Sequence, residues 1–289
     1  MALKVGIQLY SVRQSLKADP YGTLARVAEA GYRYIEAANH EALSDPGVGF
    51  GVPASKMRAI LERLGMSIIG CQIYPLEPER LGEILDYHQA VGNSHIGYDM
   101  GFYPYNDIDF ILRQCELFNS LGEMCKKRGI RFHYHNHYQE FQRFGEKTVY
   151  DIIMENTDPS LVFIELDAYW AFRGGQDPIE LIEKYEDRIV LLHQKDFPED
   201  APQNLVMSDG IVDFGKDITL KEFSSTKDPL CFTEIGTGIL PIQAIIDAAQ
   251  GVPNLEFIVL EQDHTQLDEI DSIKVSMQAF RKFSGVEWE

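Results

Sequence analysis

Short runs of mostly apolar residues alternate with longer amphipathic ones along nearly the whole chain. The short runs are KVGIQLYS (4–11), YRYIEAA (32–38), MSIIGCQIY (66–74), SHIGYDM (94–100), IRFHYHNH (130–137), LVFIELD (161–167), RIVLLHQKD (188–196) and FIVLEQD (257–263). Most are rich in β-branched and aromatic side chains and end on turn residues, the pattern of buried parallel strands. The longer runs carry helix punctuation. Asp19 and Asp177 stand as caps before Pro20 and Pro178, and Gly31, Gly65, Gly129 and Gly251 follow the last turns. The tail LDEIDSIKVSMQAFRKFSG reads as a final amphipathic helix. Eight strands, nearly each followed by a helix at intervals of about 30 residues, predict a (β/α)8 barrel filling one domain, 1–289. A doubly wound open sheet is the runner-up, but no glycine-rich phosphate fingerprint follows the first strand. The rhythm breaks between 197 and 256, where a polar loop precedes an extra strand expected at LCFTEI (230–235).

Composition narrows the function classes. Hydrophobic residues make up 45% and charged residues 25%, as in an ordinary soluble globular protein. A formal charge of -19 repels phosphate backbones, so nucleic acid is not expected as a partner. No apolar run reaches the length of a membrane span, and the start shows no signal-peptide pattern. The cysteines Cys71, Cys115, Cys125 and Cys231 are scattered without CxxC spacing, which suits reduced thiols in a cytoplasmic protein.

A barrel of this kind does its chemistry at the carboxyl ends of its strands. Of the eight histidines, three alternate within seven residues of the fifth strand: His133, His135 and His137, followed by Glu140. Alternation points their rings to one face. The sixth strand ends on Glu165 and Asp167, the seventh on His193 and Lys195, the eighth on Glu261 and Asp263. Buried without partners, such groups would each cost several kcal/mol, so four successive strands bringing them to one rim point to a cation. Mixed imidazole and carboxylate donors suit Mn²⁺, Zn²⁺, Mg²⁺ or Co²⁺. The plainer alternative makes Asp167 a helix cap, His193 a hydrogen-bonded core residue and Glu261 an ion-pair partner of Lys195.

GIQLYSVR (6–13), YHNH with EF (134–141), ELDAYW (165–170), GGQDP (174–178), LLHQKD (191–196) and LEQD (260–263) together resemble the sugar phosphate isomerase/epimerase family. That family has a xylose isomerase-like barrel, and its relatives include inosose dehydratase and ketose 3-epimerases. The resemblance implies one divalent metal ion held by Glu, Asp, His and Glu from strands five to eight. Asp167, His193 and Glu261 fall on the last three positions. At the first, many relatives have Glu where this chain has His135; Glu140 is the favoured fourth ligand, with His135 the alternative. At GTGILPI (236–242), Pro241 replaces an acidic residue expected in relatives.

The same resemblance implies isomerisation or epimerisation of a sugar or keto-polyol through an enediolate, or dehydration by an inosose-type lyase using the same residues. Glu261 and Glu140 are the expected bases, His137 a second candidate, and Lys195 polarises a substrate oxygen. His133 and Glu165 lie deeper and should buttress the ligands. Gln8, Tyr10, Glu36, His135 and Trp170 are candidate sugar contacts, with Tyr169 beside Trp170 in the same aromatic run. A metal-dependent abasic-site endonuclease on the same barrel is opposed by the charge. A non-catalytic sugar-binding relative and a homo-oligomer both stay open. No Arg or Lys cluster marks a phosphate pocket, which favours unphosphorylated substrates.

Overall fold

The computed structural model describes residues 2–288, so positions 1 and 289 of the expected domain lie outside the described residues. Eight parallel strands close into a barrel: β1 (Leu3–Gln8), β2 (Tyr34–Asn39), β3 (Ser67–Ile73), β4 (His95–Tyr98), β5 (Arg131–His135), β6 (Val162–Asp167), β7 (Ile189–Gln194) and β8 (Phe257–Leu260). Each pairs with the next, and closure comes from β8 against β1, with Ile7 opposite Leu260. A two-residue strand, Val286–Glu287, adds beside β1 at the amino end. Among the described residues, no helix is long and apolar enough to cross a membrane, and all four cysteines are free and buried.

The helices start where the sequence places their caps. Asp19 accepts the Gly22 N–H ahead of Pro20–Glu29, and Asp177 accepts the Ile179 N–H ahead of Pro178–Tyr185. Gly65 and Gly92 take the left-handed conformation that closes Ala54–Leu64 and Pro78–Val91. The extra strand expected at 230–235 is not formed. Asp228 caps the Leu230 N–H and Pro229 withholds a donor, so Pro229–Cys231 becomes a single 3-10 turn, and only an isolated bridge joins Thr233 to Asp196. The long excursion is instead gathered by Asp196. Its carboxylate accepts the N–H groups of Phe197, Gly236, Gly238 and Leu240 at 2.9–3.1 Å. A side chain on Gly238 would press within 2.3 Å of the Phe197 carbonyl, so only glycine fits there.

The loop after β2, which carries His40, is also held by polar contacts. Asp45 accepts N–H groups from Gly47, Gly49 and Gly51, and Asn39 donates to the carbonyls of Asp45 and Gly47. His88, buried on Pro78–Val91, lies 3.3 Å from the Gly47 carbonyl through Nε2, while the Asn93 amide lies 3.0 Å from Nδ1. Neutral imidazole protonated on Nε2 satisfies both bonds; a second proton on Nδ1 would meet the Asn93 amide hydrogens.

Burial accordingly pushes His88 down to about 4 from its ordinary 6.5. Between those values the unfolded chain takes up a proton that the folded chain refuses, so stability falls as pH drops. Urea unfolding should show the wild type losing about 2 kcal/mol more between pH 7 and pH 5 than His88→Gln, which keeps both bonds without titrating. Parallel losses in the two proteins would contradict a neutral His88.

Candidate active site

Two layers of ionisable side chains fill the upper barrel. In the deeper one, Glu36 on β2 and Glu165 on β6 both reach His193 on β7, with Glu36 Oε2 at 2.6 Å and Glu165 Oε1 at 3.1 Å from Nε2. Local backbone irregularity aims the two carboxylates: the β2–β3 register shifts between Ile35 and Glu36, and the β6–β7 register between Ile164 and Glu165. His133 lies 3.5 Å from Glu165 and 3.8 Å from Glu36, so the expected His133–Glu165 pair is formed with Glu36 as a third member. Gly97 on β4 makes room for that ring, since a Cβ there would fall 2.1 Å from His133 Nε2. Gln72 on β3 donates to Glu165 at 2.8 Å.

The upper layer joins four strands. Ligand-type atoms of His135, Asp167, His193 and Glu261 lie within 4.8 Å of one another, all in buried residues. His193 Nδ1 is 3.0 Å from Glu261, and His135 Nδ1 is 3.0 Å from Glu165. The Lys195 ammonium sits between the Asp167 and Glu261 carboxylates and contacts both. Two imidazoles and two carboxylates this close are a donor set that can hold one divalent cation. The lysine caught between the carboxylates shows that the spot already draws positive charge.

The charges are set by mutual compensation. Burial and the charge of Glu165 push Glu36 well above the usual carboxylate range. Burial also opposes ionisation of Glu165, but His193 and His133 hold it well below that range. Against burial, Glu165 and Glu36 raise His193 well above 6.5. Glu261 is likewise held low, against burial, by Lys195 and His193, while burial pushes Asp167 up despite Lys195. A protonated His193 must give up a proton to ligate a metal, so cation binding and proton release are linked here.

A pocket of about 510 Å³ opens above this floor, lined by Tyr10, Gln72, His135, His137, Glu261 and Asp263 among others. Glu140, expected as ligand and base, is not part of the group. Its carboxylate accepts the Tyr134 hydroxyl at 2.7 Å and the His137 N–H at 2.8 Å, and burial pushes it up to about 7. Gln139–Phe141 form a 3-10 turn that folds this carboxylate back under the loop, and His135 takes the open position. Gln8 is no sugar contact either: fully buried, it accepts the Tyr10 N–H as a cap and donates to the Ala37 carbonyl. Glu36 is spent on His193. Trp170 and Tyr169 pack behind the pocket, Trp170 against His137 and with the Lys195 ammonium 6.0 Å from its ring. His137 lines the pocket itself, and burial, with Lys195 close by, pushes it well below its ordinary range.

Several lining residues escape the strand-end pattern. His40 and Asp99 follow β2 and β4 and meet at 3.4 Å. From the excursion come Leu220, Phe223, Ser224 and Lys227, and Lys227 pairs with Asp263 at 2.7 Å. The histidine and the acid could have been found by extending the strand-end rule to β2 and β4. The lysine carries no local signal.

The profile of the xylose isomerase-like TIM barrel family matches residues 24–283. Inosose dehydratase of Geobacillus kaustophilus (strain HTA426) is 39% identical over 80 residues, 28% of this chain and 25% of that enzyme. The chain thus matches about a quarter of the length of the first such curated relatives. The crystal structure of a sugar phosphate isomerase/epimerase from Parabacteroides distasonis ATCC 8503 aligns with a TM-score of 0.76 at 24% identity, over 99% of this chain and 96% of that one. That of the IolI protein with a bound zinc atom aligns at 0.66 and 12% identity, over 98% and 100%. At such identities the structural likeness speaks for the fold.

Metal analysis after dialysis separates the two candidates for the fourth ligand position. Glu140→Gln should keep the wild-type Zn²⁺ or Mn²⁺ content, whereas His135→Ala should weaken binding more than the 10–100-fold typical of losing a ligand's supporting partner. The reverse pattern would restore Glu140 as a ligand.

Proposed function

We propose that this chain, which belongs to the xylose isomerase-like TIM barrel family, is a carbohydrate-acting enzyme that removes a proton next to the carbonyl of a keto-sugar or keto-polyol. The observation that carries this reading is the convergence of His135, Asp167, His193 and Glu261 beside a pocket of about 510 Å³ that His135 and Glu261 line. The four would hold one divalent ion, Mn²⁺, Zn²⁺, Mg²⁺ or Co²⁺, which when bound supplies Lewis-acid polarisation of vicinal carbonyl and hydroxyl oxygens.

The rest falls to the chain's own side chains. Glu261 lines the pocket and is held ionised by Lys195 and His193, so it is the carboxylate placed to take the proton. Lys195 keeps its charge because Asp167, Glu261 and Asp263 outweigh the effect of burial, and that charge lowers the energy of an oxyanion developing above it. His137, neutral and with its Nδ1 buried and unpartnered, stands as the second proton carrier. Returning the proton to the other face or to the neighbouring carbon gives epimerisation or isomerisation. Loss of a neighbouring hydroxyl gives dehydration, and the inosose dehydratases among the relatives favour that second outcome. The partner is a small polyhydroxylated molecule. Lys227 in the pocket wall and the buried Lys195 both already face carboxylates, which suits a substrate without phosphate.

The direct test is deuterium uptake from D₂O, read by mass spectrometry, for a panel of keto-sugars and an inosose with the Mn²⁺-loaded protein. One deuterium should enter beside the carbonyl, and the rate should fall at least about 100-fold in Glu261→Gln and on chelation. Uptake indifferent to both changes would defeat the proposed chemistry.

A further inference from the structure

The side of the pocket away from the cation-type cluster carries a histidine–carboxylate pair that proton abstraction does not use. His40 follows β2 and Asp99 follows β4, and both line the pocket that holds His135, His137 and Glu261. In a closed ring of eight strands, β2 stands opposite β6 and β4 opposite β8. The pair therefore faces Asp167 and Glu261 across the pocket. His40 Nε2 lies 3.4 Å from Asp99 Oδ2, Asp99 is buried, and its Oδ1 has no hydrogen-bond partner. The His40 side chain keeps 42% of its surface, packs edge-on against Tyr10 at 5.7 Å, and is open to the pocket.

We infer that His40, positioned by Asp99, is the general acid that protonates a departing substrate hydroxyl, so that the enzyme eliminates water rather than stopping at enolisation. This deepens the proposed function and rests on it. Hydroxide is a poor leaving group, so elimination next to an enolate calls for a proton donor beside the departing oxygen, and a donor across the pocket from the base suits a hydroxyl on the opposite face. Asp99 fixes Nε2–H, which leaves Nδ1–H to deliver the proton. The hydrogen bond from Asp99 raises the His40 pKa against burial, with Glu261 adding to the rise and Lys227 opposing it. The net rise increases the share of His40 that carries the second proton.

The step balances without a further reagent. Glu261 takes the proton from the carbon next to the carbonyl, leaving an enolate; as the enolate collapses back to the carbonyl, its electron pair becomes the new C=C bond and the C–O bond on the next carbon breaks. The oxygen leaves as water with the His40 proton, and solvent reprotonates His40 and removes the proton from Glu261. The substrate class is a keto-polyol with a hydroxyl β to its carbonyl, and the product is the unsaturated ketone.

Deuterium uptake and water loss can be followed in one sample of the Mn²⁺-loaded protein with an inosose and the same keto-sugar panel. In His40→Gln, elimination should fall about 100-fold or more while uptake stays within a few-fold of wild type. Asp99→Asn should lower the ratio of elimination to uptake with KM little changed, a readout that mere structural damage would not move. Uptake without elimination by the wild type, equal losses of both in His40→Gln, or undiminished elimination in that variant would each overturn the inference and leave the enolisation reading standing. A wild type inert in both readouts across the panel would overturn the two together.

Discussion

One constraint organises this barrel: His193 presents both ring nitrogens to carboxylates. Nε2 faces Glu36 and Glu165 in the deeper layer, and Nδ1 faces Glu261 in the upper one. An ionised carboxylate buried alone would be driven to neutralise. Here His193 and His133 hold Glu165 low and Lys195 and His193 hold Glu261 low, both against burial, while burial and the Glu165 charge push Glu36 up. The charge set is closed only while all members are present. Removing one leaves an uncompensated neighbour, which typically costs 3–5 kcal/mol.

The functional surface follows from that closed set. His193 lies between a support layer and a pocket floor, so shifts in the deep carboxylates are felt at Glu261 and Asp167. Lys195 takes part of the place a cation would take, so an ion bound there would compete with the ammonium for Asp167 and Glu261. Around the rim, elements that are not barrel strands complete the pocket lining: the loop carrying His40, the residue after β4, and the excursion that brings Phe223 and Lys227. The cation-type donors thus come from the β5–β8 side of the ring, while the opposite side and the excursion supply much of the remaining pocket wall.

Much of this was legible in the sequence. The eight strands and their order were readable because buried parallel strands leave apolar runs, and Asp–Pro starts and terminal glycines mark the helices between them. Asp167, His193 and Glu261 were readable for the same reason, since period two on a strand fixes which side chains share a face. Glu140 misled because it lies beyond the strand. A 3-10 turn, not a pleat, decides where that carboxylate goes, and the Tyr134 hydroxyl with the His137 N–H binds it there. Gln8 misled because the chain turns into a 3-10 helix immediately after it and needs a cap. LCFTEI has strand composition but lacks a neighbour to pair with, and Asp228 with Pro229 sets its start otherwise. Lys227 was out of reach, because only the three-dimensional path of the excursion brings it to Asp263 and the Tyr10 ring.

The central claim is that two imidazoles and two carboxylates from β5–β8 hold one divalent ion. X-ray absorption on the Zn²⁺-loaded protein reads this most directly. The account predicts a first shell of nitrogen and oxygen at about 2.0–2.2 Å with outer-shell scattering from two imidazoles, His135 and His193. Scattering from a single imidazole, or from none, would contradict it.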